Sequence, residues 1–199
     1  MGAYINKGNE WFKSILRSDF VDKKGLIAEI NATLFAENRF TCVSRCRRFG
    51  KSLAAKMLCA YYDRSCDSRA LFKGLEIEQH PSFEEHLNKY PVIYVDMTNF
   101  ITEYGHDEKI VDHIQASLIS DLRKAYSQVE LPDSPRVMDT INELYSATGD
   151  QFIIIIDEWD AICREFDSNS GAMKDYVNLL RRMFKSADAY NVFAGVYMT

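Results

Sequence analysis

Phe152-Ile153-Ile154-Ile155-Ile156-Asp157 is the stretch that most restricts what this chain can become. An apolar run rich in β-branched residues, with no polar alternation, suits a strand covered on both faces. Such a strand belongs in the middle of a parallel sheet with helices packed on either side. The rest of the chain supplies partners for it. Arg39 to Ser44 is short and β-rich, Tyr90 to Met97 reads as a strand with Pro91 at its edge, and Asn191 to Met198 reads as a fourth. Helical spacing fills the gaps. Trp11, Phe12, Ile15 and Leu16 share one face, and Leu26, Ile27, Ile30 and Leu34 share another, with Asp22 as the expected N-cap. Further helices are predicted over about 51–62, about 107–129, before Gly149, and from the polar loop at 167–171 to about Ser186. Strands alternating with helices predict an α/β fold with a largely parallel four-stranded sheet. With no internal repeat and no linker-like stretch, residues 1–199 read as one domain.

Composition excludes several classes. Hydrophobic residues make up 47% and charged residues 27%, so a disordered or low-complexity chain is ruled out. The net charge of −5 argues against a general polyanion binder. The longest apolar runs, Met57 to Tyr62 and Phe152 to Ile156, are far too short to cross a bilayer, and the first residues carry no signal-peptide core. A soluble, cytosolic chain with no membrane partner is expected. Five cysteines at irregular spacing suggest reduced thiols. Cys42 and Cys46 lack a second close pair, and the four histidines include no i, i+4 pair, so structural zinc is not expected. Asn6 stands where myristoylation of Gly2 would want Ser or Thr.

The junction after the first strand reads Arg45-Cys46-Arg47-Arg48-Phe49-Gly50-Lys51-Ser52. A phosphate-binding loop has the form G-x-x-x-x-G-K-[ST] between a strand and a helix. Gly50 would let the backbone approach a β-phosphate, with the following N–H groups at a positive helix end. Lys51 would place a point charge between the β- and γ-phosphates, and the Ser52 hydroxyl is a hard ligand for Mg²⁺. Arg45 takes the place of the first glycine. A loop of this kind needs an acidic partner at the end of a second strand. Asp157 supplies it, 105 residues after Ser52, and would face the loop across the carboxyl end of the sheet. Glu158, the next residue, is the natural general base for an attacking water.

With these stretches in place, the chain resembles the predicted AAA-ATPase-like family, whose members are often fused N-terminally to a PD-(D/E)XK-type nuclease domain in bacterial proteins. The matching segments are 20–27, 44–53, 156–160 and 196–199, and together they extend over essentially the whole chain. In that family too an arginine commonly replaces the first loop glycine. Proline is usual where this chain has Cys46, and tyrosine where it has Trp159. The resemblance implies a P-loop NTPase of the additional-strand, catalytic-glutamate type that binds and hydrolyses ATP with Mg²⁺. It extends the nucleotide-binding set from Arg45 through Phe49, Gly50, Lys51 and Ser52 to Leu53, with Ser52 and Asp157 as metal ligands. It also gives Thr199, at the end of the fourth strand, the task of orienting the attacking water. The implied strand order is 5-1-4-3-2, and the chain stops before a fifth strand, so the domain is expected to be incomplete. The bare edge of strand 1 should then fray, self-associate, or be covered by the N-terminal segment.

Rival readings are weaker. A nucleotide-dependent switch with negligible hydrolysis does not require Glu158. A nucleic-acid patch of Arg45, Arg47, Arg48, Lys51 and Lys56 coincides with the phosphate loop, so nucleic acid is expected to be handled only indirectly. The strings at 22–24 and 107–109 lack the strand context of a nuclease site and read as solvated helix starts. Asp96 suits a turn as well as the site, the Tyr61-Tyr62 pair suits the core, and Arg181 and Arg182 suit a solvated helix face.

Overall fold

The computed structural model describes residues 2–18, 20–23, 25–44 and 49–199. Its strands are β1 (Phe40–Cys42), β2 (Val92–Asp96), β3 (Phe152–Asp157) and β4 (Phe193–Met198). The helices before β3 are α1 (Glu10–Leu16), α2 (Leu26–Thr33), α3 (Lys51–Tyr62), α4 (Phe83–His86), α5 (Met97–Tyr104), α6 (Ile110–Ala125) and α7 (Val137–Thr148). After β3 come α8 (Ala161–Glu165), α9 (Gly171–Phe184) and α10 (Ala189–Val192). All strand pairs are parallel and the order is β1-β4-β3-β2, which is the expected 1-4-3-2 succession.

The isoleucine run does what its pattern demands. Ile154 and Ile156 point to a core shared with α5, α6, α7 and α9, while Ile153 and Ile155 point to a second core shared with α1, α2 and α3. Each face removes a branched side chain from water, worth about 1.5–3 kcal/mol apiece. The Tyr61-Tyr62 pair lies in the second core, edge to face with centroids 4.9 Å apart. Tyr62 donates to Asn31 Oδ1 at 2.7 Å and Tyr61 to the Phe83 carbonyl at 2.9 Å, which satisfies both buried hydroxyls.

β1 is only three residues long and needs help to hold its register. Arg39, buried just before it, donates through Nη1 to the carbonyls of Tyr190 and Phe193 at 2.8 and 3.0 Å. Beyond the strand, Val43 N donates to Met198 O at 2.8 Å. Among the described residues β1 pairs with β4 alone.

Of the three outcomes expected for the edge of strand 1, cover by the N-terminal segment is not found among the described residues, and the cap of α2 needs correction. The N-terminal segment covers β2, at the opposite edge from β1. Tyr94 N donates to Tyr4 O, Asn6 N donates to Val92 O, and Val92 N returns a bond to Asn6 Oδ1 at 3.0 Å. Asp121 on α6 fixes this strap by accepting from the N–H groups of Ala3, Tyr4 and Ile5, and Asp63 accepts from Gly8 N at 2.6 Å. These carboxylates tie the segment down along the β2 edge. Asp22 is not the cap of α2 either. Gly25, at φ +80, occupies that position, and Asp22 instead accepts from Glu76 N at 3.0 Å. Some boundaries also tighten: residues 189–192 form α10, so the last strand starts at Phe193.

Candidate functional site

The carboxyl ends of the strands are level, with Asp96 opposite Asp157 and both Cys42 and Ile156 opposite Met198. α3, the next helix after β1 in the chain, begins at Lys51. Its cap, Gly50, has φ +72, a left-handed conformation that strains any residue with a Cβ. A Cβ there would also lie 2.9 Å from Lys23 Nζ, which donates to the Phe49 carbonyl at 3.1 Å. Lys23 thus steadies the loop from outside it, a role that charge pattern alone does not reveal.

Ser52, in the first turn of α3, lies against the end of β3, its Oγ donating to Asp157 Oδ1 at 3.2 Å. The other oxygen, Oδ2, accepts from Tyr94 OH at 3.0 Å. Asp157 is buried, and burial pushes its carboxyl above the usual carboxylate range; the bonds from Ser52 and Tyr94 pull it back, while the charges of Asp96 and Glu158 push it up further. Burial, followed by the Asp157 charge, likewise drives the Tyr94 hydroxyl far above its ordinary value. Sequence reasoning missed Tyr94, although strand parity marks it. Tyr94 is paired with Ile155, so it shares a face with Asp157 and is its diagonal neighbour.

Tyr94 is braced from the N-terminal side. The Trp11 ring meets it edge-on at 5.3 Å, and the ammonium groups of Lys7 and Lys56 lie 4.2 and 5.1 Å from the Trp11 centroid. Burial holds the Lys7 ammonium below its ordinary value.

Lys51 opens α3 and lines a cleft of about 380 Å³ together with Lys23, Leu26, Val43, Phe49 and Tyr197. Its lining mixes apolar residues with Lys23, Lys51 and the acidic Glu29. Phe49 and Leu53 are exposed at its edge. Arg45, Cys46, Arg47 and Arg48 lie outside the described residues.

Glu158 leaves β3 with φ +51, and its Oε2 accepts from Arg164 Nη2 at 2.8 Å. Arg164, on α8, also pairs with Asp160 through Nη1. Thr199 is buried beside this turn: its N donates to Ile156 O at 2.9 Å and its carbonyl accepts from Trp159 N at 3.1 Å. Thr199 Oγ1 has no hydrogen-bond partner among the described residues. Asp96 caps α5, accepting from Thr98 N and Thr98 Oγ1 at 2.9 and 2.6 Å. Arg181 and Arg182 are exposed on α9.

A family profile described as "Predicted AAA-ATPase" matches residues 8–198. The chain belongs to that family. No curated protein and no solved structure matches it. The family name suggests nucleotide binding and ATPase activity in general. The four described cysteines are free, and among the described residues no helix is long and apolar enough to cross a membrane.

Proposed function

We propose that this chain binds ATP with Mg²⁺ at the carboxyl end of its sheet and hydrolyses it to drive a conformational change in a larger protein. The observation that carries the reading is the contact between Ser52 Oγ and Asp157 Oδ1 at 3.2 Å. It joins two hard oxygen donors, one a buried carboxylate whose ionised form is costly without a cation. That donor set suits Mg²⁺ held by Ser52 and Asp157, with phosphate oxygens and water completing the shell. Mg²⁺ bound there would supply charge neutralisation on the β- and γ-phosphate oxygens.

The chain's own groups do the rest. The backbone beyond Gly50 offers N–H groups at the start of α3. Lys51 brings its ammonium to the terminal phosphates, with Arg45, Cys46, Arg47, Arg48, Phe49 and Leu53 completing the loop. The apolar lining residues of the adjoining cleft, Leu26, Val43 and Tyr197, receive the base. Glu158 accepts a proton from the attacking water, and the unpartnered Thr199 hydroxyl orients that water. The larger protein is proposed to be cytoplasmic and to carry a nuclease-like domain C-terminal to this one, a reading supported by the family resemblance.

A second reading, a switch that binds ATP and barely turns it over, is favoured by one observation: the Glu158 carboxylate is engaged by Arg164. Calorimetry and a phosphate-release assay separate the two. Lys51→Ala should abolish Mg-ATP binding. Glu158→Gln should keep binding and lower turnover about 100-fold or more, as expected for loss of a general base. Unchanged turnover in Glu158→Gln removes the hydrolase reading, and unchanged binding in Lys51→Ala removes the site.

A further inference from the structure

We infer that Arg164 is a latch on Glu158, holding the base in a paired resting arrangement that loading of the site must release. The inference rests on the assignment of Glu158 as general base.

The turn that carries Glu158 is fixed from three directions. Trp159 N bonds to Thr199 O at 3.1 Å, Tyr176 OH bonds to Trp159 O at 2.6 Å, and Ala161 N bonds to Glu158 O at 2.9 Å. With the backbone held, Glu158 can change its partner mainly by rotating its side chain. At φ +51 the backbone already sits in the left-handed region, which a glutamate does not favour. In this arrangement the carboxylate is given to a guanidinium on α8, one lone-pair site on Oε2 being used by Arg164 Nη2. While that lone pair is taken by the guanidinium it cannot accept from a water, so the carboxylate has to turn away from Arg164 first.

Arg164 has the features of a catch that can let go. Its second arm is held by Asp160 in an i, i+4 pair on the same turn. When Glu158 leaves, the guanidinium therefore keeps a carboxylate and is not stranded. The Arg164–Glu158 pair is partly open to water, with 34% and 26% of the two side chains exposed. Such pairs are weak, so release is within reach of a bound polyphosphate and its ordered water.

The test uses the full chain and two readouts. Arg164→Ala should raise basal turnover about two- to five-fold, the range a partly exposed ion pair can supply, with ATP affinity unchanged. Arg164→Lys should lie between the two. In a Glu158→Gln background, Arg164→Ala should have no effect on turnover. The second readout does not depend on activity. A double-mutant cycle of melting temperatures over Arg164→Ala and Glu158→Gln should give a coupling of about 1–3 °C without nucleotide. That coupling should vanish when Mg²⁺ and a non-hydrolysable ATP analogue are bound. A coupling of equal size in both states would mean a static structural pair, and a fall in turnover on Arg164→Ala would mean that Arg164 supports the base rather than restrains it; either overturns the latch. If the analogue gives no thermal shift with the wild type, the nucleotide-site reading itself falls and takes the latch with it.

Discussion

Tyr94→Phe isolates one hydrogen bond at the centre of the site. The substitution keeps the ring and its edge contact with Trp11, but removes the hydroxyl that donates to Asp157 Oδ2 at 3.0 Å. A hydrogen bond to a charged group is worth about 1.5–3 kcal/mol net, and Asp157 is 1% exposed, so no water can replace the donor cheaply. The bond from Ser52 at 3.2 Å remains. A loss of about 1.5–2 kcal/mol at neutral pH is expected, or a fall of about 3–8 °C in melting temperature for a chain of this size. The pH dependence carries the sharper signature. The folded-state pKa of Asp157 lies above the ordinary 3.8, so the native state holds its proton more tightly than the unfolded chain does. Stability from this group is therefore full below that value and is lost as pH rises through the folded pKa. Removing the Tyr94 donor takes away a contact that lowers the pKa and so deepens the loss. The difference between variant and wild type should grow from about pH 4 to pH 7.5. Urea unfolding in metal-free buffer containing EDTA, at several pH values, measures it. A difference below about 0.5 kcal/mol, or one that does not change with pH, would show that Tyr94 is not supporting an ionised Asp157.

Gly50→Ala should cost about 1–2 kcal/mol, mainly from the φ of +72, because Lys23 Nζ is the free end of a flexible chain and can yield; thermal unfolding and ATP calorimetry together check it. Ile154→Ala should destabilise by about 2–5 kcal/mol and Ile154→Val by about 0.5–1.5, read by chemical denaturation, since this side chain is fully buried in the middle of β3. Asp121→Ala should free the strap over residues 3–5, with loss of amide-exchange protection at Ala3, Tyr4 and Ile5 and about 1.5–3 kcal/mol of stability.

How much of this was readable in the sequence depends on how many alternatives a residue has. β3 falls over Phe152–Asp157 as expected, because a run of isoleucines has no solvated face to offer a helix or loop. α3 likewise spans the predicted residues, its start set by the glycine before Lys51. The strap over β2 is not legible in the sequence, for a physical reason. The groups it uses are the backbone N–H groups of Ala3, Tyr4 and Ile5, which carry no side-chain signature, and their acceptor Asp121 is more than a hundred residues away. Arg164 gives little signal because a charged residue on the exposed side of a short helix looks solvated until its partners are known, although Asp160 one turn earlier is a local hint. Tyr94 is a buried aromatic of β2, and its hydroxyl reaches the site because its diagonal neighbour in the sheet is an aspartate, which only the strand register reveals.

The brace behind Tyr94 has a practical side. This chain contains two tryptophans. One, Trp11, touches the tyrosine that holds Asp157, with two ammonium groups close to its indole. The other, Trp159, directly follows Glu158. Tryptophan fluorescence thus reports on residues next to Tyr94 and Glu158, with no third indole to dilute the signal. Replacing one tryptophan at a time by phenylalanine would make the remaining emission a local reporter, one for the strap and the Tyr94 side, the other for the turn that carries Glu158. Each could be followed in a stopped-flow instrument without attaching a dye.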